Sequence, residues 1–384
     1  MNCPICHHNK NDLLLKLNDF PIYQHPMADA SNIPLPHAIN LEYLICSKCA
    51  HAFQPNYDRA ILEQIYTNHY YTPSPENIGD SFRHDFTDFI KNNNIINKSI
   101  LNIFEIGCSS GEVLCKLRSL HEKCNFLAIE PNEETASTAE KKGLVVKKYF
   151  FTEKTANNLN FQADIIYSRH VIEHVFDFDD FFKAIEKVSN ANSTLILETP
   201  SLDWSIEKTS VIPYHVEHVH VFSQRSLICL ANKFGWFKAE ATVTSSGNLI
   251  ISFTKKDQKH TLPIGPTHKE TLQQQTNRDI QTLQNICKDK AFIFWGAGTG
   301  AVTLLALTRL QPLYIIDGNP NKAGKSFCGL DYTIGYALDV TKDLINDNLD
   351  IDLIMVISSS FHHEIKLELT KLGWRGDIYA PYEQ

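Results

Sequence analysis

The sequence predicts an α/β protein in three parts, and three observations carry that expectation. Two Cys-x-x-Cys pairs, Cys3-Pro-Ile-Cys6 and Cys46-Ser-Lys-Cys49, lie near its start. Between Ile100 and Pro200, short apolar runs ending in loop-forming residues alternate with helical stretches, four times over. Beyond Ala291 the same succession of strand, glycine loop and helix returns. Such repeats of strand and helix build Rossmann-like sheets. The expected parts are therefore a metal-binding lobe over residues 1–65, a Rossmann-like domain over 66–255 and a second Rossmann-like α/β domain over 256–384. The polar segment Lys255 to His268, with Pro263 and Pro266, marks the second boundary, and Glu270 to Asp289 reads as a connecting helix.

Composition narrows the functional classes. With 43% hydrophobic and 21% charged residues, the chain of 384 residues is of ordinary globular type and long enough for several cores. A formal net charge of -8 argues against nonspecific binding to nucleic acid. No apolar run reaches membrane-spanning length, and Met1-Asn-Cys-Pro lacks the basic and apolar regions of a signal peptide, so a cytoplasmic protein is expected. Cys108, Cys115, Cys124, Cys229, Cys287 and Cys328 are scattered in apolar surroundings, which suits a reducing compartment better than a disulfide framework.

Cys3, Cys6, Cys46 and Cys49 can supply the four thiolates of a zinc tetrahedron. A site with four sulfur ligands has no open position, so the metal is expected to be structural. For the pairs to meet, the long segment between them has to fold back on itself. One pair acting as a redox dithiol is the alternative, and His7 or His8 could replace a ligand. After the second pair come a helix over Asp58 to Tyr66 and the aromatic pair Tyr70-Tyr71, which either packs between lobes or lines a substrate pocket. Phe82-Arg-His84 opens the next helix.

The first strand, Ile100 to Phe104, runs into Glu105-Ile-Gly107-Cys108-Ser109-Ser110-Gly111 and a helix. Glycines in such a turn admit a ligand to the backbone and to the start of the helix. The Lys-Ser/Thr of a phosphate loop is absent, and the carboxylate of Glu105 suits a cation rather than a pyrophosphate. Asn125 to Ile129 reads as a second strand ending at Glu130, 25 positions after Glu105, where an α/β nucleotide site places a carboxylate for the ribose hydroxyls. Ala163 to His174 supplies a third strand and turn, and Ser193 to Pro200 a fourth.

The pattern Glu105-x-Gly107-x-x-x-Gly111 resembles the first motif of class I S-adenosylmethionine-dependent methyltransferases, with Ser109 where a central glycine is common. The resemblance implies that Glu105, Gly107, Cys108, Ser109, Gly111, Glu130, Pro131 and His170 surround S-adenosylmethionine.

Beyond the fourth strand, Tyr214-His-Val-Glu217-His218-Val-His220-Val-Phe222-Ser223 holds three histidines and a glutamate within six residues. If this segment is extended, alternation places His218, His220 and Phe222 on one side. A second metal site and exposed histidines without a role are two readings. A general base is the third, because imidazole titrates near neutrality and a neighbouring carboxylate can orient it. Together with the cysteine pairs, Tyr70-Tyr71, Phe82-x-His84 and the loop after the first strand, the stretch Glu217-His218-x-x-x-Phe222-Ser223 resembles the zinc-containing sugar C-methyltransferases over nearly the whole chain. That family acts on nucleotide-linked keto-deoxysugars of the dTDP type, most often at C-3. The resemblance implies catalysis by His218, Glu217 and Tyr214 and substrate contacts from Tyr70, Tyr71, His84 and His220. Tyr214 lies one residue farther from Glu217 than the family pattern has it, which leaves the position methylated, and C- against O-methylation, open.

In the last third, Gly296-Ala-Gly298-Thr-Gly300-Ala301 follows an apolar strand, and Asp317 ends the next one. By spacing alone this is a dinucleotide fingerprint, with NAD as its ligand. The resemblance implies another use, a module that encloses the sugar nucleotide with Gly296, Gly298 and Asp317. The alternatives to a sugar C-methyltransferase are an O- or N-methyltransferase on a related small molecule, a nicotinamide-binding protein, and a metal-stabilised binding protein without activity.

Overall fold

The computed structural model describes residues 1–28, 37–68, 80–96, 101–121, 123–208, 210–211, 213–256, 261–266, 269–359 and 361–381. Tyr70 and Tyr71 lie outside the described residues. A long hairpin opens the chain, formed by β1 (Asn11–Pro21) and β2 (Ala38–Cys46), with Asn11 opposite Cys46. This register brings the turn that follows β2 beside the turn that precedes β1, so residues 40 positions apart become neighbours. The short β3 (Ala52–Phe53) pairs with β2.

The central sheet begins with β4 (Asn102–Ile106), β5 (Asn125–Ile129), β6 (Val146–Lys147), β7 (Ala163–Arg169) and β8 (Ser189–Pro200), all mutually parallel. Then follow β9 (His220–Val221), β10 (Phe237–Val243) and β11 (Asn248–Thr254). The sheet order is β10-β11-β8-β7-β4-β5-β6, with β11 antiparallel to β8 and to β10. Successive strand residues face opposite sides, so each strand feeds two cores. Phe104, Ile106, Ile129 and Ile166 pack with Phe181, Phe182 and Ile185 on one face. Ile103, Ala128, Ile165 and Tyr167 pack with Leu114, Leu117 and Ala136 on the other. The helix Phe178–Val188 shows why it lies there: Phe178, Phe181, Phe182, Ile185 and Val188 form one apolar stripe, and the Asp177 side chain caps its first turn. β5 and β7 leave β4 in opposite directions, which opens a crevice beyond the carboxyl ends of these strands.

β9 does not join that sheet. It pairs instead with β3, with Val221 opposite Ala52 and His220 opposite Phe53. Leu15, Phe20, Leu41 and Tyr43 of the hairpin are buried with Leu202, Tyr214, Val219, Leu272 and Ala306, so the lobe shares its core with the rest of the chain. A third sheet contains β12 (Ala291–Trp295), β13 (Tyr314–Asp317), β14 (Gly335–Tyr336), β15 (Leu353–Ile357) and β16 (Asp377–Tyr379), all parallel, in the order β14-β13-β12-β15-β16. Met27 and Ser326 exchange backbone hydrogen bonds that tie this unit to the hairpin.

Two expectations change. The first strand is displaced to Asn102–Ile106, which carries Glu105 inside it, buried, instead of in the loop. Residues 213–219 are not extended: His218 N–H bonds the His215 carbonyl and Val219 N–H that of Glu217, so turns break the alternation and only His220–Val221 is strand. His218 and His220 therefore serve different places.

Candidate active site

The loop after β4 is held by its own backbone. The amides of Gly107 and Cys108 donate to the Ile129 carbonyl, and the Ser109 amide donates to Glu130 Oε2 at 2.8 Å. Glu130 Oε1 accepts from the Asn132 amide at 2.9 Å. The carboxylate thus clamps the loop to the end of β5 with two of its roughly four acceptor sites and keeps the others. The glycines answer to packing more than to ligand approach. Gly107 has φ 77° and a Cβ there would stand 2.5 Å from Val171 Cγ2; at Gly111, φ 79°, it would stand 2.3 Å from Leu144 Cδ1. Ser109 takes the left-handed conformation, φ 49°, which favours glycine and accounts for the residue common at that position.

Val171, against Gly107, leads into the short 3-10 turn Ile172–His174. This turn carries the loop after β4 toward the histidine segment. His218 is buried, and its Nδ1 lies 2.8 Å from the Pro213 carbonyl. A carbonyl only accepts, so Nδ1 bears the proton and Nε2 keeps its lone pair. Nε2 lies 4.0 Å from Glu173 Oε1. His174 is fixed likewise, with Nδ1 donating to the Glu217 carbonyl at 2.8 Å. Burial holds the His218 imidazole well below its usual pKa, and nearby His215 and His174 push the same way. Glu173 is fully buried; Thr199 Oγ1 donates to its Oε2 at 3.0 Å, and its Oε1 has no hydrogen-bond partner among the described residues.

His170, at φ 51°, directly follows β7 and lies beside two carboxylates, with Nδ1 3.4 Å from Glu173 Oε1 and Nε2 3.6 Å from Glu198 Oε1. Burial lowers its pKa, but Glu173 and Glu198 outweigh that and raise it to about 9. Glu198, opposite Arg169 across β7 and β8, is ion-paired to it; burial raises its pKa, and Arg169 and His170 bring it down to about 2.

The other expected residues fall in different places. Tyr214 is fully buried; its hydroxyl accepts from Ser205 Oγ at 2.9 Å and its ring meets Tyr43 edge-on, so it belongs to the core of the lobe. His220 spends both ring nitrogens: Nε2 donates to the Val175 carbonyl at 3.1 Å, and Nδ1 accepts from His51 Nε2 at 3.0 Å. Packed beside Phe178 and Phe222, it is a satisfied core histidine rather than a surface for substrate. His84 is exposed on the helix Asp80–Asn92. Pro131 follows Glu130 and precedes Asn132, which caps the helix Glu133–Lys141. The segment bearing Glu217 and His218 is pinned from the hairpin. Tyr43 Oη donates to the carbonyls of His215 (2.9 Å) and His218 (2.5 Å), and Gln54 Nε2 lies within 3.2 Å of the His215, Val216 and His218 carbonyls.

Sequence reasoning missed Glu173, His174, Tyr43 and Gln54. The first two stood in His170-Val-Ile-Glu173-His174, where a carboxylate and two imidazoles within five residues were a usable signal. Tyr43 and Gln54 gave none, since their role depends on a fold that joins residues 161 to 175 positions apart.

At the other end of the hairpin, Cys3 Sγ lies 3.6 Å from Cys49 Sγ, and Cys6 Sγ lies 3.5 Å from Cys46 Sγ. All four sulfurs lie within 4.8 Å of one another. A tetrahedron with zinc–sulfur bonds of about 2.3 Å has edges of roughly 3.8 Å, so the donor set fits a zinc ion. His7 and Ala50, both left-handed (φ 56° and 57°), directly follow Cys6 and Cys49 and turn the chain around each pair.

In the third sheet, Asp317 repeats the clamp of Glu130: Oδ2 accepts from the Ala297 amide at 2.6 Å, and Oδ1 from the Asn319 amide at 2.8 Å. Here Lys322 Nζ adds an ion pair at 3.0 Å. Gly296, φ 120°, would bring a Cβ within 3.0 Å of Ser359 Cβ, whereas at Gly298 the nearest atom would be Lys322 Nζ at 3.9 Å. Gly298 is therefore the open position of this loop.

Residues 72–240 match the family model for a methyltransferase domain. Among curated proteins none matches the chain. Solved structures similar to it include an S-adenosylmethionine-dependent methyltransferase from Aquifex aeolicus, at 15% identity over 52% of this chain and 98% of that one, TM-score 0.37. The PH0226 protein of Pyrococcus horikoshii OT3 is 15% identical over 50% of this chain and 95% of that one, TM-score 0.37. A DhpI complex with S-adenosylhomocysteine is 14% identical over 54% and 95%, TM-score 0.36. Resemblances this distant add no weight; the strand order and the matched span do. They define a class I S-adenosylmethionine-dependent methyltransferase.

S-adenosylmethionine fits what the residues offer. Glu130 keeps acceptor sites for ribose hydroxyls at the end of β5. Glu105 is buried, its Oε2 has no hydrogen-bond partner among the described residues, and burial pushes its pKa up to about 8, a carboxyl whose ionised form a cationic ligand stabilises.

Proposed function

We propose that the protein is a C-methyltransferase acting on a nucleotide-linked keto-deoxysugar of the dTDP type, with His218 as general base and a structural zinc held by Cys3, Cys6, Cys46 and Cys49. One observation carries the reading: the lone pair of His218 Nε2, fixed by the bond from Nδ1 to Pro213, next to an unsatisfied carboxylate oxygen and one turn from the loop after β4. S-adenosylmethionine, when bound, supplies a methyl group already activated on sulfur, so the protein has to generate the nucleophile and align it. A carbon beside a ketone becomes nucleophilic on losing its proton, and His218 Nε2 takes that proton. Orientation of the base comes from Pro213, Tyr43 and Gln54; Glu217 contributes its backbone carbonyl to His174. The buried, water-poor setting favours neutral imidazole before the reaction. Glu105, Cys108, Ser109, Glu130, Pro131 and His170 face the cofactor in this proposal, and Tyr70, Tyr71, His84 and the loop with Gly296 and Gly298 face the sugar nucleotide. Asp317, already shared among two amides and Lys322, is a poor ribose acceptor, which favours this use of the third sheet over NAD binding.

His218→Asn should abolish methyl transfer and leave S-adenosylmethionine affinity within about threefold, since no cofactor contact is removed. Turnover near wild type in that variant would remove His218 from the mechanism.

A further inference from the structure

Glu173, His174 and His218 bring one carboxylate and two imidazoles together, with their ligand atoms within 4.8 Å of one another. We propose that these three residues form a second metal site, which takes a divalent ion of the zinc class in competition with the proton that His218 removes from substrate. Each imidazole is presented for coordination by a backbone carbonyl behind it. Nδ1 of His218 donates to Pro213 and Nδ1 of His174 to Glu217, both at 2.8 Å, so Nε2 carries the lone pair in both rings. The carboxylate is prepared in the same way. Thr199 Oγ1 holds Glu173 Oε2 at 3.0 Å, and the buried Oε1 has no hydrogen-bond partner among the described residues. A buried carboxylate oxygen left without a donor costs free energy that a cation recovers. His218 Nε2 lies 4.0 Å from that oxygen, and the rings of His174 and His218 are 4.9 Å apart between centroids.

Two imidazoles and one carboxylate suit zinc and its neighbours among the transition metals, whereas calcium and magnesium take sets of oxygen ligands. Bonds of about 2.0–2.1 Å place ligand atoms roughly 3.4 Å apart, so closure on an ion draws Nε2 and Oε1 together by about half an ångström. His170 Nδ1, 3.4 Å from the same oxygen, takes its second acceptor position, with Glu198 at the other ring nitrogen to offset the charge of His170. Three protein ligands leave a coordination position open, unlike the four cysteines, and His174 is only partly buried, so the ion exchanges with solvent. An imidazole nitrogen has one lone pair. With the ion on Nε2, His218 takes no proton and the enzyme is silent; that consequence rests on the reading above, whereas the binding does not.

The test uses full-length protein treated with EDTA until metal analysis finds one zinc per chain, the ion enclosed by four thiolates. In equilibrium dialysis against zinc chloride the wild type should take up a second ion. Cobalt chloride in its place should give ligand-field absorption without the sulfur-to-cobalt charge-transfer bands of a thiolate site. His174→Gln, at the least buried of the three positions, and Glu173→Gln should each weaken the second ion at least about tenfold, and Thr199→Val, which removes only the donor to Oε2, by about tenfold. Turnover should fall in step with occupancy of the second site and return with EDTA, one zinc being retained. A wild type that holds one ion however much zinc is added, or a second ion bound as tightly by all three variants, would overturn the site. Methyl transfer unimpaired while the second ion is bound removes the competition, and His218 as base with it, but not the site. A second ion that the variants lose, in a protein that methylates no sugar nucleotide, upholds the site and removes the substrate reading alone.

Discussion

Ser109 shows how much one backbone angle decides. At φ 49° a serine carries strain of about 1 kcal/mol that glycine does not, and the contact it makes, amide to Glu130, belongs to the backbone. Ser109→Gly should therefore raise the thermal midpoint slightly and leave S-adenosylmethionine affinity unchanged within error; a lower midpoint, or weaker binding by calorimetry, would mean the hydroxyl has a part the geometry does not reveal. At this scale the sequence was readable where a local pattern folds as a unit: the glycine-containing turn after β4 and the two cysteine pairs, whose sulfurs lie together. It was misleading at Tyr214 and His220, whose types and spacing matched a site but whose side chains fill cores. It was silent on Pro213, whose carbonyl sets the tautomer of His218. A residue's type says what it can do; which partner it meets depends on turns that separate neighbours two positions apart.

At the scale of elements, the strands and helices were legible because buried parallel strands leave continuous apolar runs, and β5, β7, β12 and β13 start where those runs start. The lobe was not, since its few strands close only by pairing with β9 and by sharing a core with residues 202–221. That pairing links the cysteine cluster to the segment that carries His218. In Cys46→Ser/Cys49→Ser the turn before β3 loses its anchor, β3 loosens its hold on β9, and Gln54 with Tyr43 no longer fixes the carbonyls of residues 215–218. Turnover should fall at least tenfold, with S-adenosylmethionine binding changed far less, because Glu105 and Glu130 stand on the central sheet. Metal analysis should find one zinc per chain in the wild type and none in the variant; normal activity in a zinc-free variant would break the link.

For the whole molecule, buried titrating groups shape stability against pH. Burial lowers the pKa of His51, His215, His218 and His220, the last to about 3. Below their unfolded value near 6.5 the unfolded chain binds protons that the folded chain does not, so stability falls with pH by up to about 1.4 kcal/mol per unit for each. Glu105 acts oppositely: burial raises it to about 8, so its folded form keeps a proton the unfolded one has lost, and stability declines as pH rises toward 8. His170, raised to about 9, adds to that alkaline decline, its stabilisation complete below about 6.5 and lost as pH rises through 9. Denaturant midpoints should therefore peak near pH 6.5, the acid limb flattening in His220→Gln and the alkaline limb in Glu105→Gln. A midpoint that rises steadily from pH 5 to 9 would contradict these assignments.

The central claim is a methyl group moved from sulfur to the carbon of a sugar nucleotide, and mass spectrometry of the acceptor tests it most directly. Incubated with S-adenosylmethionine and a panel of dTDP-linked keto-deoxyhexoses, the protein should add one methyl to at least one of them, and fragmentation should place it on the carbon beside the ketone. Transfer to oxygen or nitrogen would contradict the C-methyltransferase reading, and no transfer to any sugar nucleotide, with S-adenosylmethionine bound and intact, would contradict the substrate class.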